Sequence, residues 1–411
     1  MAAFISSLMA VSIDDSVSDA KSKGNVMDPL DIIEGVDLKT LIHKRTTSLA
    51  NTKDAKAIEA ATRRDYPQGI PAYGADALRF TLAAMAAQGR DIKMSIPRVE
   101  GYRNFGTKLW NSARFAEMNG ALLHHDTFKP REAKEVLNLW AFGELARTCQ
   151  EITGAIEAYR FNEAANAAYR FVWNVFCDWY VELAKPVLQG PDSPAKDETR
   201  GAVAFLLHEI VKLLHPFMPF ITEELWTAVD AGGPGGRKML ALAQWPTLEG
   251  LANPAAEAEV GWVVDLISEI RSVRAEMSVP GAALIPLVLV NAAPEVQARA
   301  GAWRETLMRL ARLSDISLAD SAPKGSAQMI VRGSLCVLPL EGIIDLKAEE
   351  ARLEKEIVRL EGEAARAQAK LGNADFVARA PEEVIEENRE RLADALAQIE
   401  KLKAALARLR D

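Results

Sequence analysis

Lys21, Ser22 and Lys23, directly ahead of Gly24, place two ammonium groups and a hydroxyl on three successive residues of a turn-prone stretch. Cations held in such a run suit phosphate chemistry, because a preorganised ammonium stabilises the charge that develops on a leaving pyrophosphate. A second set lies between Tyr102 and Met118: Arg103, Lys108, Asn111, Arg114 and Phe115, on a stretch where Phe105, Leu109 and Phe115 keep near-helical spacing. Guanidinium, ammonium and amide donors beside an aromatic ring are the groups that hold an unstacked nucleobase, stacked on its face and bonded along its edge. Taken alone, the same five residues describe a solvated helix face at least as well. Trp173, Trp179, Tyr180, Phe217, Phe220 and Trp226 could also stack on bases, but their place in apolar helical runs predicts a core. His215 beside Pro216 reads as a helix-end residue, not a ligand.

Other chemistry finds little support. Cys149, Cys177 and Cys336 stand far apart, with no CxxC or Cys/His pairing to hold zinc and no even set for a disulfide framework, so a reducing cytoplasm fits best. The run Gly232 to Gly236 lacks the Lys-Ser/Thr of a phosphate-cradling loop. No metal site is expected. The formal charge of -8 argues against a generally basic nucleic-acid coat, although net charge hides local patches. Met1 to Val11 is apolar in patches but has no basic residue before it, and no stretch approaches the ~20 apolar residues of a membrane span.

The elements that must position these residues are mostly helical. Residues 1–20 read as a disordered leader. Between Leu30 and Met94 the pattern is helical, including a charged helix from Lys53 to Asp65 and an apolar run opened by Asp76 as an acidic N-cap. Amphipathic helices follow at Tyr102 to Met118, Leu137 to Tyr159, Phe161 to Leu183, Ala202 to Leu214 and His215 to Trp226, with Pro186 expected to stop the third. Short connections among them predict an α-bundle over residues 97–253. A small α+β module is expected over 254–342, with a helix at Val260 to Met277, strands at Ile285 to Val290, Ala327 to Arg332 and Leu335 to Leu340, and one helix from Pro294 to Leu313. Over 343–411, Leu346, Leu353, Ile357, Leu360, Ala364, Ala367 and Leu371 answer Leu392, Leu396, Ile399, Leu402, Leu406 and Leu409 in a predicted antiparallel coiled-coil hairpin. That hairpin has three readings: an RNA-clamping arm, a dimerising coiled coil, or a structural appendage.

Several segments, in order, resemble the C-terminal part of the valyl-tRNA synthetase family, class I. They include Lys21-Ser22-Lys23-Gly24-Asn25-Val26 with Asp28-Pro29-Leu30-Asp31, Tyr73-Gly74-Ala75-Asp76-Ala77-Leu78-Arg79-Phe80, and Arg98-Val99-Glu100-Gly101-Tyr102-Arg103-Asn104-Phe105 with Lys108-Leu109-Trp110-Asn111. Further on come Arg160-Phe161-Asn162-Glu163-Ala164-Ala165, Phe176-Cys177-Asp178-Trp179-Tyr180, the run His215 to Trp226, and Asp375-Phe376-Val377-Ala378-Arg379-Ala380-Pro381.

The resemblance implies a mainly α fold, with an anticodon-binding helix bundle, a small α+β module and a hairpin resting on the elbow of a bound tRNA. It implies ATP-dependent attachment of valine to valine tRNA as the parent reaction, with Lys21, Ser22 and Lys23 as the ATP-binding second signature loop over a remnant catalytic region, 21–96. Arg103, Lys108, Asn111, Arg114 and Phe115 become candidates for anticodon contact. Ser18, Asp19 and Ala20 stand where the family has Lys-Met-Ser, and Asp19 would repel the triphosphate. None of the five histidines forms a His-x-Gly-His, and neither the nucleotide-binding core nor the editing domain is recognisable. The chain is therefore not expected to catalyse alone or to bind ATP tightly; a separate N-terminal catalytic polypeptide would have to complement it. A free-standing tRNA-binding module and a coiled-coil interaction protein are the alternatives.

Overall fold

A computed structural model of the chain describes residues 27–47, 49, 51–86, 94–122, 128–229, 239–373, 376 and 382–410. Lys21, Ser22 and Lys23, the expected leader, the glycine run and most of the 375–381 motif lie outside the described residues. The chain divides into two compact units, Met1–Glu257 and Ala258–Asp411. As the sequence predicts, the fold is mainly α, with a helix bundle, a small α+β module and an antiparallel helical hairpin.

The first unit opens with short, well-capped helices. Asp28 accepts a hydrogen bond from the Leu30 amide (3.0 Å) at the start of α1 (Pro29–Ile33), and Asp37 accepts one from Thr40 (3.0 Å) at the start of α2 (Leu38–Thr46). Then come α3 (Ala55–Asp65) and α4 (Ala75–Met85). Ile32, Leu41, Ile70, Tyr73, Leu78 and Leu82 meet in one buried cluster, so short helices of weak intrinsic stability are held by shared apolar burial. A two-way bridge between Val36 and Ile70 (2.8 Å in each direction) closes this layer.

Asp76 does not cap its own helix. Gly74, at φ +85°, occupies the N-cap position of α4, and the Asp76 carboxylate accepts hydrogen bonds from the amides of Phe220 (3.2 Å) and Ile221 (2.6 Å). Those are orphan donors in the first turn of α10 (Pro219–Val229), so a side chain on one helix completes another. Arg79 adds a bond to the Pro216 carbonyl (3.2 Å).

The bundle proper comprises α5 (Ile96–Met118), α6 (Val136–Glu157), α7 (Phe161–Arg170), a π-helical segment (Phe171–Tyr180), α8 (Val181–Gln189), α9 (Pro194–Leu214) and α10. Glu198 of α9 accepts from the amides of Lys134 and Glu135 (both 2.9 Å), capping α6 from outside, and from the side-chain amide of buried Asn138 (3.0 Å). The Tyr180 hydroxyl donates to the other end of that amide at 2.8 Å, which leaves this interior polar chain satisfied. Pro186 does not stop the helix as expected. It removes one N–H near the end of α8, while Leu183, Ala184 and Leu188 around it are buried, and burial outweighs the single lost bond. His215 does end a helix: it follows α9, and its Nδ1 lies 2.8 Å from the Thr222 hydroxyl.

Tyr180, Phe217 and Trp226 are buried as core residues should be, Trp173 and Trp179 are half-buried, and Phe220 is 65% exposed against expectation. Phe220 stands beside the cap that Asp76 supplies, at the first turn of α10, where backbone demand rather than burial places it.

The second unit begins within α11 (Pro254–Glu276) and carries β1 (Ile285–Val290), α12 (Pro294–Ala302), α13 (Arg304–Ala311), β2 (Leu313–Ala319), β3 (Ser326–Val331) and β4 (Ser334–Pro339). The sheet order is β2-β1-β4-β3, with β1 and β2 parallel and the other neighbours antiparallel. Two departures from the sequence reading are linked. The single helix expected over Pro294 to Leu313 breaks at Trp303, whose indole donates to Glu259 (2.8 Å), and ends at Arg312 with φ 56°, so that Leu313 starts the unexpected strand β2. A parallel pair needs a crossover of this length, and α12 and α13 supply it.

The hairpin consists of α14 (Leu346–Leu371) and α15 (Glu382–Arg410); at 1.5 Å per residue each arm reaches roughly 40 Å. Leu353, Ile357, Leu360, Ala364 and Ala367 are buried on the first arm, and Ile385, Asn388, Ala395, Ile399 and Ala405 on the second. Leu396, expected in the seam, is 51% exposed; Ala395 faces Leu360 and Ala364 instead, and its small side chain lets the arms approach.

Candidate functional site

Helix α5 buries Val99, Phe105, Leu109, Ala113 and Ala116 in the bundle. At helical steps beside that stripe, Asn104, Lys108, Asn111 and Phe115 form one wall of a groove of about 530 Å³. The facing wall comes from the π-helical segment and α8: Cys177, Asp178, Val181, Glu182 and Lys185.

Lys108 is the centre of this groove. Its Nζ lies 3.7 Å from the centroid of the Trp173 ring and donates a short hydrogen bond to Asp178. Trp173 and Asp178 are five residues apart, a spacing that an α-helix points in different directions. A π-helix bonds each amide to the carbonyl five residues back, and so brings positions i and i+5 onto one side. The widened helix therefore lets one lysine meet both an aromatic face and a carboxylate. Trp173 stacks on Tyr169 (5.6 Å, 16° between planes), Tyr169 meets Tyr102 edge-on (5.8 Å), and Tyr102 packs on fully buried Phe80 (4.7 Å). A continuous aromatic chain thus ties the ring that meets Lys108 to the core.

Lys185 pairs with Glu182 and lies 5.8 Å from the Phe115 ring centroid. The groove holds two lysine–carboxylate pairs, each partly exposed. Such pairs contribute about 0–1 kcal/mol, and an exposed cation–π contact about 0.5–1 kcal/mol, so an incoming ligand can rearrange them at small cost. Ser112 Oγ lies 3.2 Å from Cys177 Sγ, and burial pushes that thiol up to about 11, so it stays protonated at neutral pH and is no nucleophile. Burial likewise pushes Cys336 up to about 12 and raises Cys149. Among the described residues no three His, Cys, Asp or Glu side chains gather as metal ligands would.

Of the five residues singled out from the sequence, the structure brings Lys108, Asn111 and Phe115 together in this groove. Arg103 lines a neighbouring cavity of about 450 Å³ with Tyr73, Tyr102, Trp110 and Phe220; its guanidinium lies 5.4 Å from the Tyr73 centroid and 3.7 Å from Glu100. Thr107 borders both spaces. Arg114 lines neither and is exposed. Sequence reasoning missed Asp178, Glu182 and Lys185 as groove residues, and the contact of Trp173 with Lys108. For Trp173 and Asp178 the signal was present only as a five-residue spacing, which a search at period 3.6 passes over.

Residues 138–289 match the family described as the anticodon-binding domain of tRNA ligase, and residues 12–95 match the class I tRNA synthetases (I, L, M and V). Helix bundle, groove and these matches define part of a class I tRNA ligase. Residues 345–410, which contain the hairpin, match the valyl tRNA synthetase tRNA binding arm. Three valine–tRNA ligases are similar over 95% of the chain: that of Bradyrhizobium diazoefficiens at 52% identity and those of Rhodopseudomonas palustris and Caulobacter vibrioides at 49%. The chain spans 40%, 40% and 39% of those relatives' lengths, respectively. It belongs to the valyl-tRNA synthetase family, in the family's C-terminal part.

Proposed function

We propose that the chain is the tRNA-binding part of a valine–tRNA ligase, with valine tRNA as its partner and the anticodon read at the groove of α5. The observation that carries this reading is the convergence of Lys108, Asn111 and Phe115 on one open groove whose facing wall, Cys177 to Lys185, lies in the segment that matches the anticodon-binding domain. These groups supply a cation, a two-way amide and a ring face, which single-stranded bases need for sequence-specific contact. Arg103 serves a flanking nucleotide from the next cavity. Bundle 97–253 reads bases, module 254–342 connects, and hairpin 343–411 lies along the tRNA, where arginines and lysines meet phosphates without reading sequence.

Attachment of valine with ATP belongs to the parent ligase, whose ATP-binding second signature loop corresponds to Lys21, Ser22 and Lys23; in this chain that loop is degenerate, and a separate catalytic polypeptide would complete the site. The setting is the cytoplasm; no helix among the described residues is long and apolar enough to cross a membrane. A dimerising coiled coil is the weaker reading, because the two arms already bury their apolar seams against each other.

Titrating the full chain into labelled valine tRNA and a non-cognate tRNA at several salt concentrations tests the proposal. Tighter binding of valine tRNA is expected, with affinity falling log-linearly as salt rises. Equal binding of both tRNAs would contradict it.

A further inference from the structure

The groove beside Lys108 has no net positive charge to hold a phosphate. Asp178 and Glu182 stand in its wall with Lys108 and Lys185, two anions against two cations. A phosphate brought up to Asp178 meets a like charge at close range, whereas the uncharged edge of a base does not.

We propose that Asp178 selects the base that enters this groove. Its carboxylate accepts a hydrogen bond from the exocyclic amine of a cytosine or adenine, while Lys108 turns to the ring acceptor beside that amine. The inference rests on the RNA-binding reading above and adds the group that sets specificity. Lys108 and Asp178 already touch, so a complementary donor and acceptor stand side by side, as the amine edge of either base requires. The Asp178 side chain is 46% exposed, and Lys108 is its one hydrogen-bond partner among the described residues, which leaves acceptor capacity on the carboxylate. Phe115 offers a ring face in the same groove. Uracil and hypoxanthine put a carbonyl oxygen where cytosine and adenine put the amine, and a carboxylate repels it.

The test uses the full chain and the anticodon stem–loop RNA of a valine tRNA, with each loop cytosine changed singly to uracil and each loop adenine to hypoxanthine. One replacement is expected to weaken wild-type binding by about tenfold or more. In Asp178→Asn, whose amide can accept from an amine or donate to a carbonyl, that ratio falls below about threefold. The ratio, unlike affinity itself, does not move if the substitution merely loosens the helix. A variant that keeps the wild-type ratio overturns the role of Asp178 and leaves the RNA-binding reading standing. A wild-type chain that does not bind the stem–loop overturns both.

Discussion

Asp76 sits in the first turn of α4 yet gives its carboxylate to the amides of Phe220 and Ile221, so its removal should be felt in α10. Asp76→Ala is expected to cost about 1–2 kcal/mol, the usual value of a lost cap. Burial raises the Asp76 pKa above its ordinary 3.8, outweighing the two amide bonds that lower it. The folded chain therefore holds this proton to higher pH than the unfolded chain does. The associated stability is complete below about pH 3.8 and is lost as pH rises through the folded value. Asp76→Asn keeps an acceptor without a charge to desolvate, so its stability relative to wild type should rise from acid toward neutral pH. Thermal unfolding of both proteins across that range checks this, and a difference independent of pH would contradict it.

At the scale of elements, backbone approach sets what side chains can be tolerated. Gly69 lies at φ +80°, and an added Cβ would stand 2.2 Å from the Val36 carbonyl oxygen, against the bridge that joins 36 to 70. Gly74, at φ +85°, has open space around its missing Cβ. Gly74→Ala should cost only the backbone strain of φ +85°, ψ 158°, a region essentially confined to glycine, about 1–3 kcal/mol, and Gly69→Ala clearly more, because backbone atoms must move. Urea unfolding of the two variants measures the difference; equal losses would show that the Val36 contact relaxes freely.

Elements were legible in the sequence where burial imposes a period. The long bundle helices, strands β1, β3 and β4, and the first arm of the hairpin all bury a regular stripe. Strand β2 was not, because it is a sheet edge on which only Leu313 is buried, and nothing in Leu313 to Ala319 alternates. Leu396 misled for a related reason: steps of three and four fit either Ala395 or Leu396, and only the close approach of the arms decides between them. At the site, Lys108, Asn111 and Phe115 were legible by residue type. The meeting of Trp173 and Asp178 on Lys108 was hidden because the helix that carries them is wound with a different period.

For the whole molecule, the formal charge of -8 offers RNA no bulk attraction. On the proposed function it comes from local surfaces: a nearly neutral groove that reads bases and a hairpin whose arginines and lysines reach phosphates. Anticodon reading at the groove of α5 is tested by comparing affinities for valine tRNA and for the same tRNA with an exchanged anticodon. The wild-type chain should bind the exchanged tRNA at least about tenfold more weakly, and a chain carrying Lys108→Ala, Asn111→Ala and Phe115→Ala should bind the two alike. Equal binding of both tRNAs by the wild-type chain would show that this groove does not read the anticodon.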